Sequence, residues 1–426
     1  MPDKGILLHL REDYNDPVRD PLWKNINLSG PLLKLISQRS VQKLARIKQL
    51  GPSYLVYPGA THTRLNHSLG VFHIAKRIME NLVSNSTEGI LSLAGVKAFL
   101  CASLLHDLGH FPYAHSLKEL PLKEHEVLTG EIILSKELYN PIKEELGVSP
   151  EMVAAIIDKN LPDGGDEQIL LFRNLLSGVL DPDKLDYLTR DAYFCGVPYG
   201  IQDVDFIISR IKPYKKIGLS VDSQGLPAIE NLLFSKYLMY KTVYWHKTVR
   251  VATAMIKKAI ISGLTDEIIK ENTLYGLTDE EFFLTLKQEE YEPFSLVSRV
   301  LNRNLYKILL DLPLCPGESP CPGSKDLLSR LEMEGNIARE LSKHTGKKVP
   351  AHSVIIDIPE PISFEINLPV YENDRFLPFL ESGSVFSGPV IEGFTRNLRK
   401  LRLLVAKEVL EDKTPPPREE MIQWLY

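Results

Sequence analysis

A mainly α-helical chain with a small α+β lobe at its C-terminal end is the fold class the sequence predicts, on three observations. Apolar residues at Leu69, Phe72, Ile74, Ala75, Ile78 and Leu82 recur with the i, i+3, i+4 spacing of an amphipathic helix. Helix-like segments then follow one another as far as residue 264. Only from residue 346 does a stretch appear, GKKVPAHSVIIDIPEPISFEINLPVY, that reads as β-strands.

Taken in order, residues 1–30 are rich in Pro, Asp and Asn and predict a hairpin or an extended lead-in. The runs LLKLI and VQKLARIKQL predict short helices, ended by the Gly51-Pro52 break. Further helices are expected over 89–108, 124–138, 150–158, 166–180, 183–195, 203–211 and 227–264. Asp181 is placed to cap the fifth of these, with Pro182 at its first helical position. Near residue 311 the segment LPLCPGESPCPGS interrupts the helices, and TRNLRKLRLLVAKEVL reads as helix, strand or one after the other. The expected division is a lead-in (1–30), a helical domain (31–345) and a small α+β lobe (346–426).

Composition narrows the function. With 50 Lys and Arg against 55 Asp and Glu, the net charge is −5, which argues against a general nucleic-acid coat or an anionic-membrane binder. Four cysteines make no disulfide framework. Cys315 and Cys321 flank a Pro/Gly turn that reads as a surface loop rather than half a zinc site, since no second Cys/His pair follows. The longest apolar run, 90–105, contains Lys97 and is too short to cross a bilayer. The N-terminus does not read as a signal peptide, so a cytoplasmic location is expected.

Histidine is unevenly spread. Of 11, seven (His62, His67, His73, His106, His110, His115 and His125) fall close together. Arg64 and His67 project from one face of a first helical turn, and His106-Asp107 ends an apolar helix at Gly109. His125-Glu126 opens the next helix. Asp183, far downstream, falls in the first turn after the Asp181 cap, near the positive end of the helix dipole. Two imidazoles and two carboxylates suffice to hold one divalent metal ion and leave positions open; mixed N/O ligation suits Zn, Fe, Mn, Ni or Mg without choosing among them. The remaining histidines suit acid, base or phosphate-donor roles, while His62 and His73 read as structural.

The segments RIKQLGPSYLVYPGATHTRLNHSLGV, LLHDLGHFPYAHSL, KEHEVLTGEII and VLDPDKLDYLTRDAYFCGVPYG resemble, in order, the motifs of the HD-domain deoxynucleoside triphosphate triphosphohydrolases, in the branch of dGTPase-like and SAM-and-HD-domain proteins. The resemblance implies His67, His106, Asp107 and Asp183 as metal ligands and Arg64 as a phosphate contact. It implies His110, His115 and His125 around the scissile α-phosphate, with Glu126 paired to His125. It also implies Lys184 on the triphosphate tail, Tyr187 and Asp191 on the sugar, Gln49 and Leu50 on its 3′ side, and Tyr244 stacked beneath it. A homo-oligomer and a second, activating nucleotide are further implications, and the basic runs Lys34–Lys48 and Arg396–Lys407 are candidates for regulatory anion contacts. One position departs from the pattern: Lys118 stands where the animal branch has an acidic residue able to orient the His115 ring.

The leading expectation is hydrolysis of dNTPs at the α-phosphorus, releasing deoxynucleoside and inorganic triphosphate. The alternatives are an HD-type 5′-nucleotidase or phosphodiesterase, and a nucleotide-sensing protein without turnover. A zinc protease is disfavoured, because Gly109 and Pro112 break the helix that a pair of HExxH-type ligands needs.

Overall fold

A computed structural model describes residues 3–85, 91–215, 217–314, 326–360, 362, 364, 366–411 and 413–425. It is mainly helical, with three small sheets. Cys315 and Cys321 lie outside the described residues.

The lead-in differs from expectation. It begins with a helix, Lys4–Glu12, because Asp3 accepts hydrogen bonds from the amides of Gly5 and Ile6, and Ile6 and Leu10 bury on one face. The expected hairpin follows, β1 (Asp16–Asp20) pairing antiparallel with β2 (Lys24–Leu28). The hairpin packs on the central Arg64–Asn85 helix, and that helix also packs on Leu93–Leu105 and Pro182–Cys195. The last of these starts as expected: the Asp181 carboxylate accepts from the amide of Lys184 at 2.6 Å, and Gly196 ends the helix at φ 67°.

Two further differences concern length and β structure. The segment 227–264 is two helices, Leu226–Met239 and Lys247–Thr265; a wide turn over 240–244 intervenes, and the His246 ring caps the second by accepting from the Thr248 amide. A hairpin, β3 (Ile211–Tyr214) with β4 (Gly218–Asp222), stands within the stretch expected to be helical, and β4 pairs with β7 (Pro369–Glu372), itself paired with β8 (Arg375–Pro378). A third sheet has the order β5 (Lys307–Pro313), β9 (Lys400–Val405), β6 (Val354–Asp357). The C-terminal lobe therefore recruits β5 from before residue 345. The ambiguous segment near its end is helix then strand, Gly388–Leu398 followed by β9. Strand β9 is central and buried from Leu401 on, which explains why its residues there are apolar apart from Arg402.

Charged pairs fasten the parts. Arg190, with a side chain 0% exposed, donates to Asp186 at 2.8 and 3.0 Å and to Asp20 on β1 at 2.8 Å. Glu119 takes Lys257 and Arg330 together, joining the loop after His115 to the Lys247–Thr265 helix and to the Leu327–Thr345 helix that backs the third sheet. Among the described residues, no helix is long and apolar enough to cross a membrane.

Two stability tests follow. Arg190→Ala strands two buried carboxylates and should lower unfolding free energy by about 3–5 kcal/mol, read from urea denaturation. Burial opposes charge on Glu119, but Lys257 and Arg330 outweigh it and hold its carboxyl below the ordinary range. A depressed carboxyl adds stability that is present at neutral pH and is lost as pH falls through its lowered pKa. Glu119→Gln should therefore be less stable than the parent at pH 7, and the gap should close in acid.

Candidate active site

Two glycines let backbones approach where the site is built. A Cβ on Gly109 would sit 2.0 Å from the His125 carbonyl oxygen, so only glycine lets the His106-Asp107 turn press against the His125–Ile133 helix. Thr129 of that helix fixes the contact, its hydroxyl accepting from the Gly109 amide at 2.8 Å and donating to the His106 carbonyl at 3.1 Å. A Cβ on Gly70 would lie 1.9 Å from Asp186 Oδ1, so this glycine leaves room for the carboxylate behind His67.

His67 is buried. Its Nδ1 donates to Asp186 Oδ2 at 2.9 Å, which turns Nε2 toward Asp183 Oδ1 at 2.8 Å. Asp186 also accepts from Trp23 Nε1 at 2.5 Å and from Arg190. His106 holds its orientation by donating Nδ1–H to the Ser103 carbonyl at 2.9 Å, and its buried Nε2 has no hydrogen-bond partner. That nitrogen lies 3.3 Å from Asp107 Oδ1 and 3.9 Å from Asp183 Oδ1. One donor atom each from His67, His106 and Asp107 falls within 4.8 Å of the others. An imidazole nitrogen that is buried, aimed at two carboxylates and otherwise unpartnered suits a metal ligand, and so does a His whose other nitrogen is fixed by a carboxylate. The residues present fit one divalent cation.

Electrostatics agree with the donor set. Burial disfavours charge on Asp107, but His110, His106 and Arg64 overcome it and hold the carboxyl well below its ordinary range. Burial likewise opposes charge on His67, yet its hydrogen bonds to Asp183 and Asp186 raise it to about 10. Arg64, itself buried, donates Nη1 to Asp107 Oδ2 at 2.7 Å, and its Nε is unpartnered.

Three histidines form a second layer. The His110 and His125 rings stack at 3.9 Å, and His115 stands 4.5 Å from His110 and 5.4 Å from His125. Burial first, then neighbouring cationic groups, hold all three well below ordinary imidazole values, His125 at about 2. His125 Nδ1 lies 3.1 Å from Glu126 Oε2, and Glu126 is raised, mainly by burial.

A cavity of about 860 Å³ opens over these groups. Its wall includes every site residue named from the sequence except His110, which is fully buried and supports His125 from behind. Tyr187 and Tyr244 face each other edge-on at 6.3 Å. Asp191 is held from both sides, accepting the Tyr244 hydroxyl at 2.7 Å and pairing with His62 Nε2 at 2.8 Å. His62 is thus structural, supporting a wall residue, and His73 stacks on Trp23 at 5.7 Å. The Lys184 ammonium donates to Asp181 and to the Gly178 carbonyl, each at 2.7 Å. Of the first basic run, Lys34, Arg46 and Lys48 pair with Glu145, Glu280 and Asp279, while Lys43 donates to the Leu108 carbonyl at 2.8 Å. In the second, Arg402 lies buried beside Asp311 and Asp357.

Sequence reasoning missed Asp186, Trp23 and Arg190 behind His67. It also missed Lys118, Lys236, Arg250 and Lys257 as cations of the cavity wall. Asp186, one turn after Asp183, carried a sequence signal, and Lys118 stood out only as a departure near His115.

A helical scaffold holding a His-Asp metal cluster beneath a polar cavity defines the HD class of proteins, and comparison with known proteins agrees. The family model described as HD domain matches residues 64–186, and that of the HD associated region matches 203–397. The chain belongs to the HD-domain family, among relatives of the deoxynucleoside triphosphate triphosphohydrolases. An uncharacterized protein of Methanocaldococcus jannaschii is 35% identical over 69% of this chain and 59% of its own length. The human deoxynucleoside triphosphate triphosphohydrolase is 23% identical over 82% of this chain and 58% of its own. The chain thus spans little more than half the length of these curated relatives. The crystal structure of a hypothetical protein from Aquifex aeolicus superposes with a TM-score of 0.70 at 30% identity, covering 93% of this chain and 97% of that one. A phosphohydrolase from Bacteroides thetaiotaomicron shares the fold, with a TM-score of 0.70 at 23% identity.

The carboxylate behind His67 provides a test. Asp186→Asn keeps the shape but weakens the acceptor, and should lower metal affinity about 10- to 100-fold in chelator competition, with a cooperative thermal melt retained.

Proposed function

We propose that this protein hydrolyses deoxynucleoside triphosphates at the α-phosphorus, releasing deoxynucleoside and inorganic triphosphate. The observation that carries the reading is the sharing of one cavity by two kinds of wall. One is the ligand set His67, His106, Asp107 and Asp183 with its histidine layer; the other is the Tyr187, Asp191, Tyr244, Gln49 and Leu50 surface, whose rings and polar atoms suit a sugar.

A divalent ion on the four ligands would supply Lewis acidity toward a phosphoryl oxygen and lower the pKa of water. The protein's own groups do the rest. Arg64 presents a planar fork to the α-phosphate, and its unpartnered Nε leaves donor capacity beyond the bond to Asp107. His115, at the cavity wall, offers an N–H to a phosphate oxygen or to the leaving O5′. His125, 3.1 Å from Glu126, orients the attacking water, and Glu126, whose carboxyl burial raises, is placed to take its proton through His125. Water adds to phosphorus and gives a proton to the His125–Glu126 pair, the P–O5′ bond breaks, and O5′ leaves as a hydroxyl with a proton returned from that pair by way of solvent. The Tyr244 ring, fixed by Asp191, closes the sugar side and disfavours a 2′-hydroxyl sterically.

A second reading, a 5′-nucleotidase, is favoured by one observation: the Lys184 ammonium at the cavity wall is already engaged by Asp181 and Gly178, leaving a triphosphate tail with less cationic support.

Phosphorus NMR of metal-loaded protein incubated with each dNTP, NTP and dNMP, singly and in mixtures, separates the two. Inorganic triphosphate from dNTPs is the expected product. Orthophosphate from monophosphates establishes the nucleotidase, and no turnover of any nucleotide refutes both. The His106→Ala, Asp107→Ala double variant should lose metal and turnover together, and Tyr244→Ala should narrow the preference for deoxy- over ribonucleotides about tenfold or more.

A further inference from the structure

Tyr244 stands in the cavity wall, but the side chain that holds it is itself held from outside the cavity. Asp191, on the Pro182–Cys195 helix, is 2% exposed. One of its oxygens accepts the Tyr244 hydroxyl at 2.7 Å, and the other meets His62 Nε2 at 2.8 Å. The carboxylate is the acceptor, so Nε2 carries the hydrogen.

His62 is an unfavourable choice for a residue that only fills space. Its side chain is 0% exposed and lies on the Phe194 ring at 4.5 Å, and its Nδ1 has no hydrogen-bond partner among the described residues. A phenylalanine would fill the same place without burying an unpartnered nitrogen. What the imidazole adds is the Nε2–H. The main chain of the same residue holds a second part of the wall, since the His62 carbonyl accepts from the Gln49 amide at 3.0 Å. Two residues on, the Arg64 amide donates to the Ile47 carbonyl at 3.0 Å, with Lys48 and Thr63 bridged between these bonds. One residue thus ties Gln49, through its backbone, and Tyr244, through Asp191, to the stretch that leads into Arg64 and His67.

Tyr244 needs such a tether. It ends the wide turn over 240–244, where the Trp245 amide reaches back five residues to the Tyr240 carbonyl at 2.9 Å. Its ring meets Tyr187 and Tyr240 edge-on, at 6.3 and 5.0 Å. Edge-on ring contacts are weak and tolerate tilt, so the hydroxyl bond to Asp191 is what fixes the ring.

We propose that His62 is a positioning residue that acts through Asp191 to hold the Tyr244 ring against the 2′ side of the sugar. This rests on the nucleotide reading above and adds to it what aims the ring. Without the Nε2–H, one oxygen of a buried carboxylate loses its donor, and the carboxylate turns to recover one and carries the Tyr244 hydroxyl with it. Room then opens beside C2′, where a ribonucleotide bears a hydroxyl. His67 and His106 stand outside this chain, oriented by Asp186 and by the Ser103 carbonyl.

The test separates the aim of the ring from the fold. Metal-loaded protein is assayed for kcat/KM on matched dNTP and NTP pairs. His62→Phe keeps a ring on Phe194 but removes the donor, and should narrow the parent's deoxy preference about tenfold, as for the loss of a hydrogen bond to a charged group. His62→Gln, whose amide nitrogen takes the place of Nε2, should keep the preference within about threefold of the parent's. Tyr244→Phe cuts the same chain at its other end, and combining it with His62→Phe should narrow the preference little further, as for two members of one network. A His62→Phe variant that slows both sugars by one factor overturns the proposal, because loss of fold or of metal acts on both alike. Should that variant lack a cooperative melt, His62→Asn, whose shorter amide does not reach Asp191, takes its place under the same criterion. If the parent turns over no nucleotide, the proposed reaction fails, and equilibrium dialysis of 2′-deoxyadenosine and adenosine against metal-loaded protein reads the sugar preference instead. Equal uptake of the two by the parent, or a preference that His62→Phe leaves intact, then overturns the role of His62.

Discussion

Asp186 binds four donors with two oxygens: Trp23 Nε1 and Arg190 Nη2 on one, His67 Nδ1 and Arg190 Nε on the other. These donors come from the N-terminal hairpin region, the central helix and Asp186's own helix, and Arg190 continues the chain to Asp20. Burying two carboxylates and a guanidinium is unfavourable unless they are paired and hydrogen-bonded, and here all four carboxylate oxygens and all three guanidinium nitrogens are engaged. The result is a rigid frame that fixes the tautomer and direction of His67. Asp183, one turn earlier on the same helix, is thereby set against His67 Nε2, so the ligand farthest away in sequence is positioned by the same frame as the first.

The frame resolves a conflict in the charge balance. A chain with net charge −5 nonetheless gathers Arg64, Lys118, Lys236, Arg250 and Lys257 in one cavity wall. Many of these cations are tethered to carboxylates, Arg64 to Asp107, Arg250 to Asp357 and Lys257 to Glu119. Such pairing moderates the field without removing the donors, because a guanidinium has more N–H groups than one carboxylate consumes. The histidine layer adds ring nitrogens beside these cations.

What the sequence shows and what it hides divide along physical lines. The four residues proposed as metal ligands each sit at a local signal: His67 in a first turn, His106-Asp107 at a glycine stop, Asp183 after a cap and a proline. The helical domain was legible through periodicity, and the β-rich end through its runs of Val and Ile. Partners brought by long-range packing were not. Nothing near Trp23 or Asp20 in sequence points to a carboxylate more than 160 residues away. The lead-in helix was hidden because the segment is short and its stability comes from burying Ile6 and Leu10 against the central helix. The break at Trp245 was hidden because the aromatic run on either side keeps a helical spacing, and a sheet that borrows β5 from before the lobe has no local signature at all.

The borrowed strand also bears on how the cavity is completed. Strand β9 pairs with β5 and β6, and the chain leaving β6 carries Ile358, Glu360 and Ile362 directly into the cavity wall. Glu119 meanwhile ties the loop after His115 to the helix that backs the same sheet. The C-terminal lobe is therefore a wall of the site and cannot move independently of it. A chemical centre fixed by the Asp186 frame is thus joined to a wall fixed by a separate sheet. Side chains on that wall can change without disturbing the metal ligands, because they share neither a helix nor a hydrogen-bond network with them. The two parts of the site thus rest on different supports, the Asp186 frame for the His67 side and the third sheet for the wall that carries Ile358 and Ile362.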